Sequence, residues 1–312
     1  VGIHSKRRRK RPPPKEPPRK TDPKGIDWAW FKQQLVKTIV GSATAKLKGA
    51  NGQAYEVPAD VVTFNQETDI DMLAKGGMVA ENWREAFPNG ASPYYSLPSF
   101  LVRKGNPKGI KDWSDLARED VKPVFPNPKT SGNGRYTYLA AYAYALAQNG
   151  GDAAKAQDFV GRIFANVPVF DTGGRAATQT FAEREIGDVL VTFEAETKSI
   201  AKQYADQGFE PVTPSMSLFA AFPVAVVTEN AQKDGSAEVA AEYLNWLYTP
   251  KAQEIMAQNN YRSTDAAVTA AHAADFPQVK LVTVDDVFGG WPKIQSEHLA
   301  EGAILDKVFV NR

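Results

Sequence analysis

The chain has 312 residues, 43% hydrophobic and 11% aromatic, which is length for about two domains and composition for a sizeable core. It has no cysteine, which excludes a disulfide framework, a thiolate metal site, an iron–sulfur cluster and a cysteine nucleophile. Its histidines, His4, His272 and His298, are too scattered to build a metal centre, and no apolar run is long enough to span a membrane. The net charge of +1 divides unevenly: Val1–Lys24 carries +8 and the remaining residues −7.

The opening run KRRRKRPPPKEPPRK (Lys6–Lys20) cannot form a helix or a core, because prolines interrupt hydrogen bonding and the cations repel. A disordered basic tail over 1–25 is expected. The start is positive but is not followed by the apolar core of a secretory signal, so no signal peptide is legible. IDWAWFKQQLVKTIV (26–40) then reads as an amphipathic helix, with Trp28, Phe31, Leu35 and Ile39 near one face. Asn51-Gly52 marks a hairpin turn within KLKGANGQAYEVP.

From Ala59 short apolar strands alternate with helical segments. Strands are predicted at Asp60–Asn65, Phe100–Arg103, Pro123–Phe125, Val167–Phe170, Val189–Phe193 and Val224–Thr228. Helices are predicted at Arg135–Gln148, Ala153–Ala165, Ala176–Glu185 and Ala237–Tyr248, with another starting at Pro250. This alternation argues for parallel α/β architecture. Such sheets place ligands beyond the carboxyl ends of their strands.

Two strand-to-helix turns have the chemistry for that place. In FPNPKTSGNG (Phe125–Gly134), Thr130 and Ser131 are N-cap types, and Gly132 and Gly134 permit close backbone approach. The helix that follows presents unpaired N–H groups and a partial positive charge, which suit an anion. In FDTGGRAA (Phe170–Ala177), Gly173 and Gly174 again leave amides uncovered, beside the cation of Arg175. Either turn alone is an ordinary helix start. Together they make a composite anion pocket, since one tetrahedral ligand needs several convergent donors.

Signatures of catalysis are thin. SGNGR lacks the Lys-Ser/Thr ending of a P-loop, and neither a GxSxG elbow nor an HExxH helix occurs. The acids Glu183, Glu185, Asp188, Glu194 and Glu196 straddle a helix end and a strand and read mostly as caps and solvated faces. FGGW (Phe288–Trp291) is expected to pack back on the body.

Six segments together resemble one family. They are FLVRKGNPKGIKDWSDL (Phe100–Leu116), NPKTSGNGRYTYLAA (Asn127–Ala141), VFDTGGRAATQTFAERE (Val169–Glu185), GDVLVTFEAE (Gly187–Glu196), YLNWLYTPKAQEI (Tyr243–Ile255) and DDVFGGWPKIQSEH (Asp285–His298). They are similar to the periplasmic sulfate- and thiosulfate-binding proteins of bacterial ABC importers, from about Pro58 to the C-terminus. The ADVVTFN and GRYTYLAA wording resembles the thiosulfate branch more.

The resemblance implies an α/β fold of the periplasmic-binding-protein type (type II), with two lobes joined by a hinge around a ligand cleft. The lobes are expected at 97–194 and at 26–96 plus 195–312. The implied function is capture of sulfate or thiosulfate for an importer, without catalysis, cofactor or metal. A periplasmic monomer that meets a membrane permease and no nucleic acid is expected.

The implied anion contacts are the Ser131 hydroxyl, the amides of Gly132 and Asn133, and the amide of Gly174. Arg175 is expected beside the ligand, oriented by a carboxylate rather than neutralising the anion. Phe193 stands where sulfate binders of this family use an indole N–H; lacking that donor, it suits a less polar-ended anion such as thiosulfate. Residues 1–57 do not show the family's opening strand or its Gly/Ser-rich anion loop, for which Gly41-Ser42 is only a faint echo. The alternatives are therefore a binder of another tetrahedral oxyanion, phosphate or molybdate, or a scaffold whose binding is impaired. Asp171 and Asn133 are the nearest acceptors a protonated phosphate would need.

Overall fold

In the computed structural model, residues 44–48 and 54–310 are described. The expected basic tail, the helix over 26–40 and the Asn51-Gly52 turn lie outside them. The two strands of the expected hairpin are present: β1 (Thr44–Lys48) pairs antiparallel with β2 (Ala54–Pro58), Lys48 opposite Ala54.

The chain then runs through β3 (Val61–Thr63), α1 (Glu67–Lys75), β4 (Tyr94–Ser96), β5 (Pro98–Val102) and β6 (Pro123–Pro126). Helices α2 (Gly132–Gln148) and α3 (Ala153–Asn166) follow, then β7 (Phe170–Asp171), α4 (Gly174–Thr178), β8 (Val189–Phe193) and α5 (Glu194–Gln203). The last part holds β9 (Glu210–Val212), β10 (Met216–Leu218), β11 (Ala220–Phe222), β12 (Val224–Val226), α6 (Ala237–Trp246), α7 (Pro250–Gln258), β13 (Arg262–Ser263) and β14 (Lys280–Val282). Short helices at Val284–Phe288, Trp291–Ile294 and Ile304–Val310 close the described chain.

The principal sheet has five strands in the order β7-β6-β8-β5-β9. Strand β6 runs parallel to β7 and β8, whereas β5 is antiparallel to both β8 and β9. The sheet is thus mixed, not wholly parallel. The antiparallel strand is the one that enters directly from β4, in a different sheet, with only Leu97 between them. Strands β5, β6 and β8 are buried at every position, as a sheet covered on both faces requires.

Helix α2 is built of Ala, Leu and Tyr with a single β-branched residue, Thr137. It begins three residues before the predicted Arg135 because Ser131 caps it, Oγ accepting from Gly134 N at 3.2 Å. Asp152 caps α3 by accepting from the amides of Ala154 and Lys155 at 3.0 and 3.1 Å. Together α2 and α3 cover one face of the sheet with Tyr138, Leu139, Val160, Ile163 and Phe164, all fully buried. On the other face Phe181, Ile200 and Phe209 pack against Leu101 and Leu190.

The expected unit 97–194 supplies four of these five strands. Strands β9 and β10, helix α5 and the C-terminal helices come from outside it, yet Met216, Leu218, Phe288, Trp291, Leu305 and Val308 lie in the same core. The FGGW stretch does pack back: Trp291 meets Tyr136 edge-on at 5.3 Å. A second core gathers Val62, Ile70, Leu73, Trp83, Phe87, Val224, Val227 and Leu244. Strands β3 and β12, an antiparallel pair, contribute to it; the three-stranded sheet β11-β4-β13 lies apart, with Ala220 and Phe222 of β11 in or against the main core.

The connection between the two units is fixed by polar contacts. Ala195 N donates to Ser96 Oγ at 3.2 Å, and Glu194 N donates to Leu97 O at 2.8 Å. The Glu194 carboxylate is 1% exposed and holds Arg262 of β13 through two bonds of 2.7 and 3.0 Å. Glu194, expected among the solvated acids, is instead half of a buried ion pair with a residue 68 positions away.

His298 sits in the main core, 4% exposed, its Nδ1 2.8 Å from Tyr138 OH and its ring among Tyr138, Tyr142 and Phe288. Burial lowers its pKa to about 4. The folded state then holds a neutral ring, while the unfolded chain protonates near 6.5, so stability is complete above about pH 6.5 and falls as pH drops toward 4. From pH 7 to pH 4.5 the urea stability of the parent is expected to fall by about 2–3 kcal/mol more than that of His298→Gln. A pH-independent difference between the two would contradict this. Surface His272, between Asp275 and Glu254, has its pKa raised by those partners and acts in the opposite direction, but equally in both proteins.

Candidate functional site

Five of the six sequence-predicted residues line one cavity of about 660 Å³: Ser131, Asn133, Gly174, Arg175 and Phe193. The sixth, Gly132, lies beside it, where a Cβ would stand 2.6 Å from Asn65 Oδ1. Asn65 and Phe222 also border the cavity. Asn65 follows β3, whose Val62 is in the second core, whereas Phe222 ends β11 and packs against the main core. Asn65 thus brings the second unit to the edge of the cavity.

The geometry of each wall follows from local sequence. At the first turn, Gly134 approaches the preceding strand so closely that a Cβ would stand 2.5 Å from the Pro126 carbonyl oxygen. Only glycine permits this contact, and it clamps the start of α2 onto the end of β6. The amides at the beginning of α2 have no earlier turn of helix to accept them. Ser131 Oγ accepts from Gly134, and its proton remains available to donate.

At the second turn, α4 begins at Gly174 and runs directly into a wider helical turn, Gln179–Glu183. Thr130 Oγ1 donates to Thr172 O at 2.9 Å, and Asn127 N donates to Asp171 O at 2.7 Å. These bonds tie the two turns side by side. Asp171, a candidate acceptor for a protonated ligand, accepts from Thr180 Oγ1 at 3.1 Å and is not among the cavity-lining residues. That is a turn role.

Phe193 is both packing and wall. It is 3% exposed, lies 5.8 Å from the Tyr136 ring and 5.5 Å from Phe222, and closes the cavity at the end of β8. It offers an aromatic face and no hydrogen-bond donor.

The charges around the cavity do not add up to a cationic trap. Arg175 is exposed, with Glu183 and Glu196 as the carboxylates on the same wall. Burial pushes the Glu196 carboxyl above its usual range, and Arg175 pulls it back. Glu183 accepts from Tyr204 OH at 2.9 Å. An anion here would meet one guanidinium and two acids, so dipoles and neutral donors must supply the attraction.

Asn65, Phe222 and Glu196 were not singled out as site residues from sequence. Asn65 could have been found by the rule that ligands sit beyond strand carboxyl ends, since it follows β3. Phe222 could not, because β11 is three residues long and has no pattern of its own. Among the described residues, no group of three or more His, Asp or Glu could hold a metal ion, and no helix is long and apolar enough to cross a membrane.

Removing the cap and filling the contact should have different consequences. Ser131→Ala should lower stability by about 1 kcal/mol through loss of the cap. Gly134→Ala should cost about 1–3 kcal/mol through overpacking. Thermal unfolding of both variants checks this; Gly134→Ala at parental stability would mean that the turn is not clamped.

Comparison with known proteins gives a consistent picture. The sequence profile of the bacterial extracellular solute-binding protein family matches residues 31–262. The likeness thus reaches into the segment before Pro58, where no family motif was legible. The thiosulfate-binding protein of Escherichia coli (strain K12) is 49% identical over 287 residues, covering 89% of this chain and 85% of that protein. The sulfate-binding protein of the same organism is 45% identical, covering 90% and 86%. Among solved structures, the sulfate-binding protein of Mycobacterium tuberculosis H37Rv is similar, with a TM-score of 0.70 and 33% identity over 85% of this chain and 84% of that one.

Proposed function

Because the chain belongs to the bacterial extracellular solute-binding proteins, within their sulfate- and thiosulfate-binding group, we propose that it captures sulfate or thiosulfate in the cleft between its two units and delivers it to an ABC importer. The observation that carries this reading is the meeting of Ser131, Asn133, Gly174 and Phe193 in one cavity with Asn65 of the other unit. The protein acts as a carrier, without catalysis, in the periplasm, and as a monomer that presents its closed form to a permease.

The physical logic is dehydration without neutralisation. A fully ionised oxyanion has only acceptors, so every group facing it should donate. The Ser131 hydroxyl and the amides of Gly132, Asn133 and Gly174 are such donors. Arg175 adds charge from the rim. Phe193 supports thiosulfate in particular, because a phenyl face suits a terminal sulfur, which accepts hydrogen bonds less well than oxygen does. Phosphate or molybdate is the competing ligand class, and protonated phosphate would also need an acceptor.

For closure, one lobe is 97–218 with 280–310, and the other is 59–96 with 223–279, with β11 at the crossing between them. The place of β9 in the five-stranded sheet, the pairing of β10 with β14, and the packing of Met216, Leu218 and the C-terminal helices in the main core support this division. The crossings at Ser96–Pro98, at Phe219–Phe222 and at Gln278–Lys280 act as the hinge.

Calorimetric titration with sulfate, thiosulfate, phosphate and molybdate at fixed salt tests the reading. Sulfate and thiosulfate should bind and the others more weakly. Ser131→Ala should weaken both by about tenfold or more, the value of a hydrogen bond to a charged group, and Arg175→Lys should weaken them less. No binding of either anion by the parent would refute the proposal. Unchanged affinity in Ser131→Ala would remove that hydroxyl from the site.

A further inference from the structure

Asn133 is the second residue of α2 and is 7% exposed. Its Nδ2 donates to Thr192 Oγ1 at 2.8 Å. Its Oδ1 is buried and has no hydrogen-bond partner. The side chain lines the cavity and lies against Gly174, where a Cβ would stand 3.1 Å from Nδ2. Buried polar atoms rarely stay unpaired, because the lost hydration is not repaid. An orphaned carboxamide oxygen on a residue that borders a ligand cavity therefore calls for a reason.

Thr192 supplies one. Its hydroxyl is 1% exposed and can donate as well as accept. Rotating the carboxamide by half a turn exchanges its two ends. Oδ1 then accepts from the Thr192 hydroxyl, and Nδ2 takes the orphaned place. Each orientation keeps one bond to Thr192, so the two are close in energy. They differ in what they present: a carbonyl oxygen repels an anion, and an amide N–H attracts it.

We propose that the Asn133 side chain is a specificity-determining donor to the bound anion, turned by ligand entry so that Nδ2 faces the anion while Thr192 holds Oδ1. This rests on the anion-binding reading above, but it assigns a side-chain contact in addition to the backbone donors. In the other orientation Oδ1 can accept a hydrogen bond, but from the ligand only if that ligand is protonated. Asparagine thus favours the fully ionised anion without wholly excluding a protonated one. An aspartate at this position could only accept, and would reverse that preference.

The test is titration of the parent, Asn133→Ala, Asn133→Asp and Thr192→Val with sulfate, thiosulfate and phosphate, together with the side-chain amide resonances of Asn133 in the parent. Asn133→Ala should weaken sulfate binding about tenfold or more. Asn133→Asp should lower the ratio of sulfate to phosphate affinity at least as far. Thr192→Val should weaken sulfate less than Asn133→Ala does, since the donor survives and only its orientation loosens. The Asn133 side-chain amide signals of the parent should shift on saturation with sulfate, a readout that does not depend on any variant folding. If the parent binds neither sulfate nor thiosulfate, the anion reading itself fails. If the parent binds, while Asn133→Ala matches it and the side-chain amide signals stay still, the anion reading stands and the role of Asn133 is overturned.

Discussion

The contact between Gly134 and the Pro126 carbonyl governs the site. With no side chain at that position, the first turn of α2 can be pressed onto the end of β6, where any Cβ would stand 2.5 Å from the carbonyl oxygen. The contact fixes where the α2 amides point before any ligand arrives. Preorganised donors need not be gathered when the anion enters, so less of the binding free energy is lost to ordering. The second turn is held to the first by Thr130 and Asn127 rather than by ligand.

A different constraint sets the relation between the two units. The chain passes between them at Ser96 and Leu97, and the backbone N–H groups of Ala195 and Glu194 hold that crossing by donating to Ser96 Oγ and Leu97 O. Glu194 is the most demanding of these residues, since a buried carboxylate is tolerated only with a partner. Arg262 supplies two bonds, and Thr213 Oγ1 donates from 3.3 Å. The pair joins the end of β8, which carries Phe193, to β13 in the other unit. The cavity wall and the inter-unit connection are therefore consecutive residues of the chain, a short route by which ligand contact could reach the hinge.

Much of this was legible in the residues. Val189–Phe193 is a strand as predicted, and α3 and α6 match their periodic patterns to within two residues. Ser131, Asn133, Gly174 and Arg175 could be read because the turns that hold them have local signatures: caps, glycines and a following helix. What could not be read depended on distance. Strands β9, β11, β13 and β14 are two or three residues long, too short for any alternation to register. The buried Glu194–Arg262 pair looked like surface charge because its partner is far away in sequence. Val167–Phe170 was predicted as a strand, but only Phe170–Asp171 pairs with β6, since Val167 is the cap at the end of α3.

The central claim is that the anion is held by neutral backbone donors at the starts of α2 and α4 rather than by side-chain cations. Backbone amide resonances of the labelled protein, recorded during titration with thiosulfate at fixed pH and salt, test it most directly. The account predicts that the Gly132, Asn133 and Gly174 amide protons move downfield together and saturate at one equivalent, as N–H groups donating to an anion do. Stationary signals at these three residues, with shifts confined to the lysines and arginines of the surface, would contradict it.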